Sequence, residues 1–148
     1  MNNQPIEVLL VEDDPADIEL LMEAFQDNRL AFHFNVVKDG VEAMDYLHRT
    51  GLYTQNEKPD LILLDLNLPR RNGFEVLQEL KADPQLQAIP VVVLTTSDAH
   101  ADKVKSYRLS AHYFITKPFR FGQFSNVVKS IENFWQELQN NGGGHPHG

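Results

Sequence analysis

Apolar residues gather into five short runs along the chain: IEVLLV (6–11), FHFNVV (32–37), DLILLD (60–65), IPVVVLTT (89–96) and HYFIT (112–116). Runs of this length, rich in β-branched and aromatic side chains, predict strands. Between them apolar positions recur at helical spacing over 16–26, 41–48, 74–82, roughly 101–108 and 122–138, so strand and helix alternate five times. Three of the runs are apolar at consecutive rather than alternate positions. That suits parallel strands covered by helices on both faces. The pattern predicts an α/β fold: a doubly wound five-stranded parallel sheet with helices on both faces, for which the flavodoxin-like order 2-1-3-4-5 is the expected arrangement.

The chain has 148 residues, enough for one domain with a sizeable core, expected over 1–138. The tail 139–148, ending in NNGGGHPHG, lacks apolar residues and is expected to be disordered. The absence of cysteine excludes disulfides and thiolate metal sites and is compatible with a cytoplasmic protein. No basic leader precedes the first run, and VLLV is too short for a signal peptide or a membrane span, so no membrane partner is expected. A formal charge of −8, with Lys and Arg scattered, disfavours direct nucleic-acid binding.

In a sheet of this kind ligands bind beyond the carboxyl ends of the strands, so those positions belong together. They are Glu12, Asp13 and Asp14 after the first run, Asp65 after the third, Thr95, Thr96 and Ser97 after the fourth, and Lys117 after the fifth. Some are ordinary helix caps. Asp14 before Pro15 reads as an N-cap with proline at the first helical position, and Ser97 and Asp98 are candidate caps as well. Glu12, Asp13 and Asp65 do not occupy cap positions. Were the first and third strands neighbours, the carboxylates of Asp13 and Asp65 would converge with Glu12 nearby. Two such charges about 4 Å apart repel by roughly 4 kcal/mol at an effective dielectric near 20. An oxygen-only site with few ligands suits magnesium, Mg²⁺, with Mn²⁺ as a possible substitute. A carboxylate nucleophile beside such an ion can accept a phosphoryl group, for which Thr95 offers a hydroxyl and Lys117 an ammonium. Each residue alone reads as an acidic rim, a strand threonine or a surface lysine; the combination is what points to phosphoryl chemistry.

With VEDD (11–14), LLDLNLPRRNG (63–73), LTTS (94–97) and ITKPF (115–119), the sequence resembles the receiver domains of two-component response regulators, the CheY-like family, from Ile6 to about Leu138. The resemblance implies a phosphoacceptor at Asp65 and metal ligands at Asp13, Asp65 and the Asn67 carbonyl, with Glu12 acting chiefly through water. The family more often has Asp at position 12. It further implies a switch hydroxyl at Thr95, a phosphate-pairing Lys117 and an aromatic switch at Phe114, where a phenyl ring stands without the tyrosine hydroxyl. Gly73 is expected to mark a turn needing freedom in φ.

More narrowly, YLHRTGLYTQNEKPDLILLDLNLPRRNGFEVLQELK looks like the small, single-domain regulators paired with bacterial phytochrome histidine kinases. The implied function is to take a phosphoryl group from such a kinase and signal through protein contacts, with no catalysis beyond its own phosphorylation and dephosphorylation. A wide apolar stripe on the last helix, Phe121, Phe124, Val128, Ile131, Trp135 and Leu138 widened by Val127 and Phe134, suggests a homodimer through the face of the fourth helix, fifth strand and last helix. Three rival readings stand beside this one. A haloacid-dehalogenase-like phosphohydrolase would use the same groups, but Asn67 replaces the second Asp such enzymes need as general acid. A flavodoxin would carry a phosphate loop rich in Ser, Thr and Gly rather than acids. A phosphorylation-independent interaction module would not need all five chemical positions filled.

Overall fold

The computed structural model describes residues 5–26, 31–49, 58–66, 68, 73–96, 113–117 and 124–140, with the backbone alone at 95–96, 113–117 and 124–127. Its strands are β1 (Ile6–Val11), β2 (Phe32–Val37), β3 (Leu61–Asp65), β4 (Val91–Thr96) and β5 (Tyr113–Lys117). Among the described residues the helices are α1 (Pro15–Ala24), α2 (Gly40–His48), α3 (Gly73–Ala82) and α4 (Phe124–Leu138). The strands form one parallel sheet in the order β2-β1-β3-β4-β5, as the alternation predicts. The helical segment expected over 101–108, the capping candidates Ser97 and Asp98 and residues 141–148 of the tail lie outside the described residues.

Why the central strands are apolar throughout is plain from their packing. Leu9, Val11, Ile62, Leu64, Val91 and Val93 join one buried cluster with residues of α2 and α3, among them Met44, Leu47, Val76 and Leu80. Val8, Leu10, Leu61, Leu63, Val92 and Leu94 join a second with Leu21 of α1 and Val128 and Ile131 of α4. Successive residues of a strand point to opposite faces, so a sheet with two covered faces needs an apolar residue at every position.

Three strand boundaries among the described residues differ from the sequence reading, the first being β3, which starts at Leu61 rather than Asp60. β4 starts at Val91 rather than Ile89, because Ile89 N–H closes a turn onto the Leu86 carbonyl at 3.0 Å. Pro90, having no N–H, contributes only its carbonyl, which accepts from Ile62 at 3.0 Å. β5 extends through Lys117, whose backbone pairs with Thr96. Pairing is a backbone property, and a charged side chain at the strand end does not stop it.

α1 and α2 start where their caps dictate. Asp14, in extended conformation, accepts hydrogen bonds from Ala16 N–H at 2.9 Å and Asp17 N–H at 3.4 Å, with Pro15 opening α1. Asp39 accepts from Glu42 N–H at 2.8 Å, and the Glu42 carboxylate reaches back to Lys38 N–H at 2.8 Å, a reciprocal arrangement at the start of α2. α2 ends on Arg49 in the left-handed region, φ 59° and ψ 44°, a conformation that costs a residue with a Cβ about 1–2 kcal/mol. Asp14→Ala is expected to lower unfolding free energy by about 1 kcal/mol, read as a shifted urea midpoint at unchanged slope.

Candidate functional site

β1 and β3 are hydrogen-bonded neighbours, with Val11 level with Leu64. One step further along that register sets Glu12 level with Asp65, at the carboxyl edge of the sheet. β1 does not stop abruptly there: Glu12 N–H still donates to the Val37 carbonyl at 3.0 Å, which fixes the chain as it leaves the sheet. Glu12 is wholly buried, Asp65 is 2% exposed, and Asp13 between them in sequence is exposed. One carboxylate oxygen from each of the three lies within 4.8 Å of the others. The convergence expected of these three residues is therefore present.

Two buried carboxylates at that separation repel by about 3 kcal/mol at an effective dielectric near 20. Burial removes the water that would screen them. Glu12 offsets part of its demand locally, since its Oε2 accepts from Asp14 N–H at 3.1 Å. That bond was not legible in the sequence, where Glu12 stood only as an outer metal ligand. A small group of oxygen donors, two buried and one open to solvent, fits a hard divalent cation that keeps part of its water shell. Glu12, Asp13 and Asp65 are the residues that could hold it.

Backbone register places the other expected residues. Asp65 is level with Leu94, so Thr95 stands one step beyond it on the adjacent strand. Thr95 in turn is level with Thr116, and Thr96 with Lys117. Lys117 thus ends the strand two places from β3, about 10 Å away at the usual strand spacing. Phe114 is level with Val93, deeper along β5. Asn67 lies outside the described residues.

Gly73 has a different role from the one expected. Its φ is not in the positive region, and it opens α3 instead of serving a turn that requires left-handed backbone. What it supplies is space. A Cβ built there would overlap the Asp65 carbonyl oxygen and stand 2.5 Å from Leu66 Cα. Gly73 N–H donates to the Leu66 carbonyl at 3.1 Å, while Leu66 N–H donates to the Leu94 carbonyl at 3.2 Å. Leu66, directly after the buried Asp65, is therefore tied through its N–H to β4 and through its carbonyl to the first turn of α3. Close helix approach of this kind leaves no signature in a hydropathy pattern; a glycine eight residues after a strand-ending acid is the only trace.

Comparison with known proteins agrees with this geometry. The family model of the response regulator receiver domain matches residues 8–129. The chain is 42% identical over 136 residues to the response regulator Rcp1 of Synechocystis sp., covering 92% of each chain. Among solved structures, it is similar to the phosphorylated cyanobacterial phytochrome response regulator RcpA, with 47% identity, a TM-score of 0.83, and coverage of 90% of this chain and 95% of that one. It is likewise similar to the Mn²⁺-bound form of Rcp1, with 42% identity, a TM-score of 0.82, and coverage of 88% and 94%. An acidic cluster at the carboxyl ends of a 2-1-3-4-5 parallel sheet, with relatives that match along nearly the whole length, makes this chain a member of the response regulator receiver domain family, a phosphorelay signalling protein.

Proposed function

We propose that Asp65 is the phosphoacceptor of a single-domain response regulator, charged by a sensor histidine kinase of the phytochrome type. The observation that carries this is the buried Asp65 carboxylate within 4.8 Å of the Glu12 and Asp13 carboxylates, at the edge where such sheets bind ligands. An Asp65 oxygen attacks the phosphorus of a phosphohistidine, the P–O bond forms as the P–N bond breaks, and the imidazole leaves. Asp13 and Asp65, with Glu12 and the Asn67 carbonyl that the family resemblance adds, would hold Mg²⁺, for which Mn²⁺ would substitute; the acidic cluster and the Mn²⁺-bound Rcp1 support that assignment. When bound, the ion neutralises the carboxylates and the incoming phosphoryl oxygens.

The Thr95 hydroxyl donates a hydrogen bond to a phosphoryl oxygen and the Lys117 ammonium pairs with another, and Thr95 passes the change to Phe114 on the edge strand, so that the surface there reports phosphorylation. The protein's own chemistry is confined to uptake and loss of this one group. It acts in the cytoplasm through protein contacts, with the receiver unit over 1–138. Among the described residues no helix is long and apolar enough to cross a membrane. The phytochrome pairing rests on the likeness to RcpA and Rcp1.

The same proposal includes a homodimer through the helix expected over 101–108, β5 and α4. On α4, Trp135 of the apolar stripe and Phe134 beside it are only partly buried where they pack against the core.

Incubation with acetyl phosphate and Mg²⁺ tests the proposal by intact mass. Wild type is expected to gain about 80 Da, the mass of one phosphoryl group, and to gain nothing in excess chelator. An adduct that forms equally well on Asp65→Asn would overturn it.

A further inference from the structure

A second polar cluster lies at the opposite pole, where the central strands begin. A cleft of about 250 Å³ opens there between the end of α2, the residues leading into β3 and the turn after α3. Buried Leu47 and Leu86 form the apolar part of its lining, and His48, Arg49, Lys58 and Asp83 the polar part. Asp83 is already committed: Oδ1 accepts from Gln85 N–H at 2.8 Å, and Oδ2 lies 3.3 Å from His48 Nε2. Among the described residues, neither the Arg49 guanidinium nor the Lys58 ammonium has a carboxylate within ion-pair distance. Two uncommitted cations facing one cleft stand out in a chain whose formal charge is −8. Arg49, moreover, projects from a left-handed helix cap, where glycine would fit with less strain.

We propose that this cleft binds a compact polyanion, a small phosphate compound or a small polycarboxylate, through the Arg49 fork and the Lys58 ammonium, with the leucine wall beside it. An arginine offers paired N–H donors to two oxygens of one anionic group, and a lysine adds a point charge that adapts to a second. The cleft's volume gives room for pyrophosphate or citrate. The site is separate from the carboxylate cluster and stands whatever the chemistry there.

The test is a titration of the full chain with pyrophosphate and, separately, citrate, followed by amide chemical shifts in metal-free buffer at constant ionic strength. Without a divalent ion the carboxylate cluster repels both probes, so the two poles are distinguishable. Saturating shifts centred on the amides of Leu47, Arg49, Lys58 and Leu86 are expected, and tighter pyrophosphate or tighter citrate assigns the phosphate or the carboxylate class. Lys58→Gln and Arg49→Gly should each weaken binding about tenfold or more. Arg49→Gly also removes the backbone strain, so it should melt no lower than wild type, which separates lost binding from lost folding. If it does melt lower, Lys58→Gln decides, because that exposed side chain can be replaced without disturbing the core. Shifts that fail to saturate or spread over the whole surface, or variants that bind like wild type, overturn the proposal.

Discussion

Asp65→Asn is expected to abolish phosphoryl uptake and, in metal-free buffer, to raise the unfolding free energy by about 1–3 kcal/mol. The amide keeps the shape of the side chain and removes one charge from a group of like charges within 4.8 Å, two of them buried. Function and stability thus oppose each other at this position, as strained sites generally require. Urea unfolding of both proteins in chelator gives the difference directly. Saturating Mg²⁺ should narrow it, since an ion that binds the folded wild type more tightly than the variant stabilises the wild type more. A variant that is less stable than wild type in chelator would mean that the Asp65 charge is already balanced by the protein, and that the cluster does not depend on a cation.

Gly73→Ala is the second change with a large expected effect, and its sign makes it informative. At an ordinary helical position the substitution stabilises by roughly 0.5–1 kcal/mol, because alanine loses less backbone freedom on folding. Here the added methyl meets backbone atoms of Asp65 and Leu66, which cannot swing aside as a flexible side chain would. Either α3 moves away from the sheet or the strand end moves with its carboxylate. A loss of about 3 kcal/mol, at the upper end of overpacking costs, is expected in urea unfolding. Phosphorylation by acetyl phosphate should slow by about a hundredfold, the usual consequence of a reacting group displaced by about 1 Å. A variant as stable and as reactive as wild type would show that the first turn of α3 can yield freely.

These two residues also mark how far the sequence could be read. The consecutive apolar residues of β1, β3 and β4 announce a sheet covered on both faces, and Leu9 with Val8, or Ile62 with Leu61, divide between two separate cores as that reading requires. The convergence of Glu12, Asp13 and Asp65 was legible too, because it follows from strand order and the carboxyl-end rule once the strands are placed. Gly73 was legible only as a glycine. Its close approach depends on where α3 lands against the Asp65 peptide, a distance set by packing and not by local preference, so freedom in φ was the wrong reason for it. Arg49 carries no signal at all, since a left-handed cap normally advertises itself by glycine or asparagine. The apolar width of α4 suggested more than a core face, and Phe134 and Trp135 are only partly buried where they pack against the core.

The division of each central strand between two cores bears on how chains of this kind can change in length. Deleting or inserting one residue within β1, β3 or β4 would exchange every later side chain of that strand between the two faces and carry the terminal acid or hydroxyl out of line with its neighbours. Such changes are excluded from the strands for packing and chemical reasons at once. Variation in chain length is therefore confined to the connections, and the spacing from each strand to its functional residue stays fixed while the loops drift.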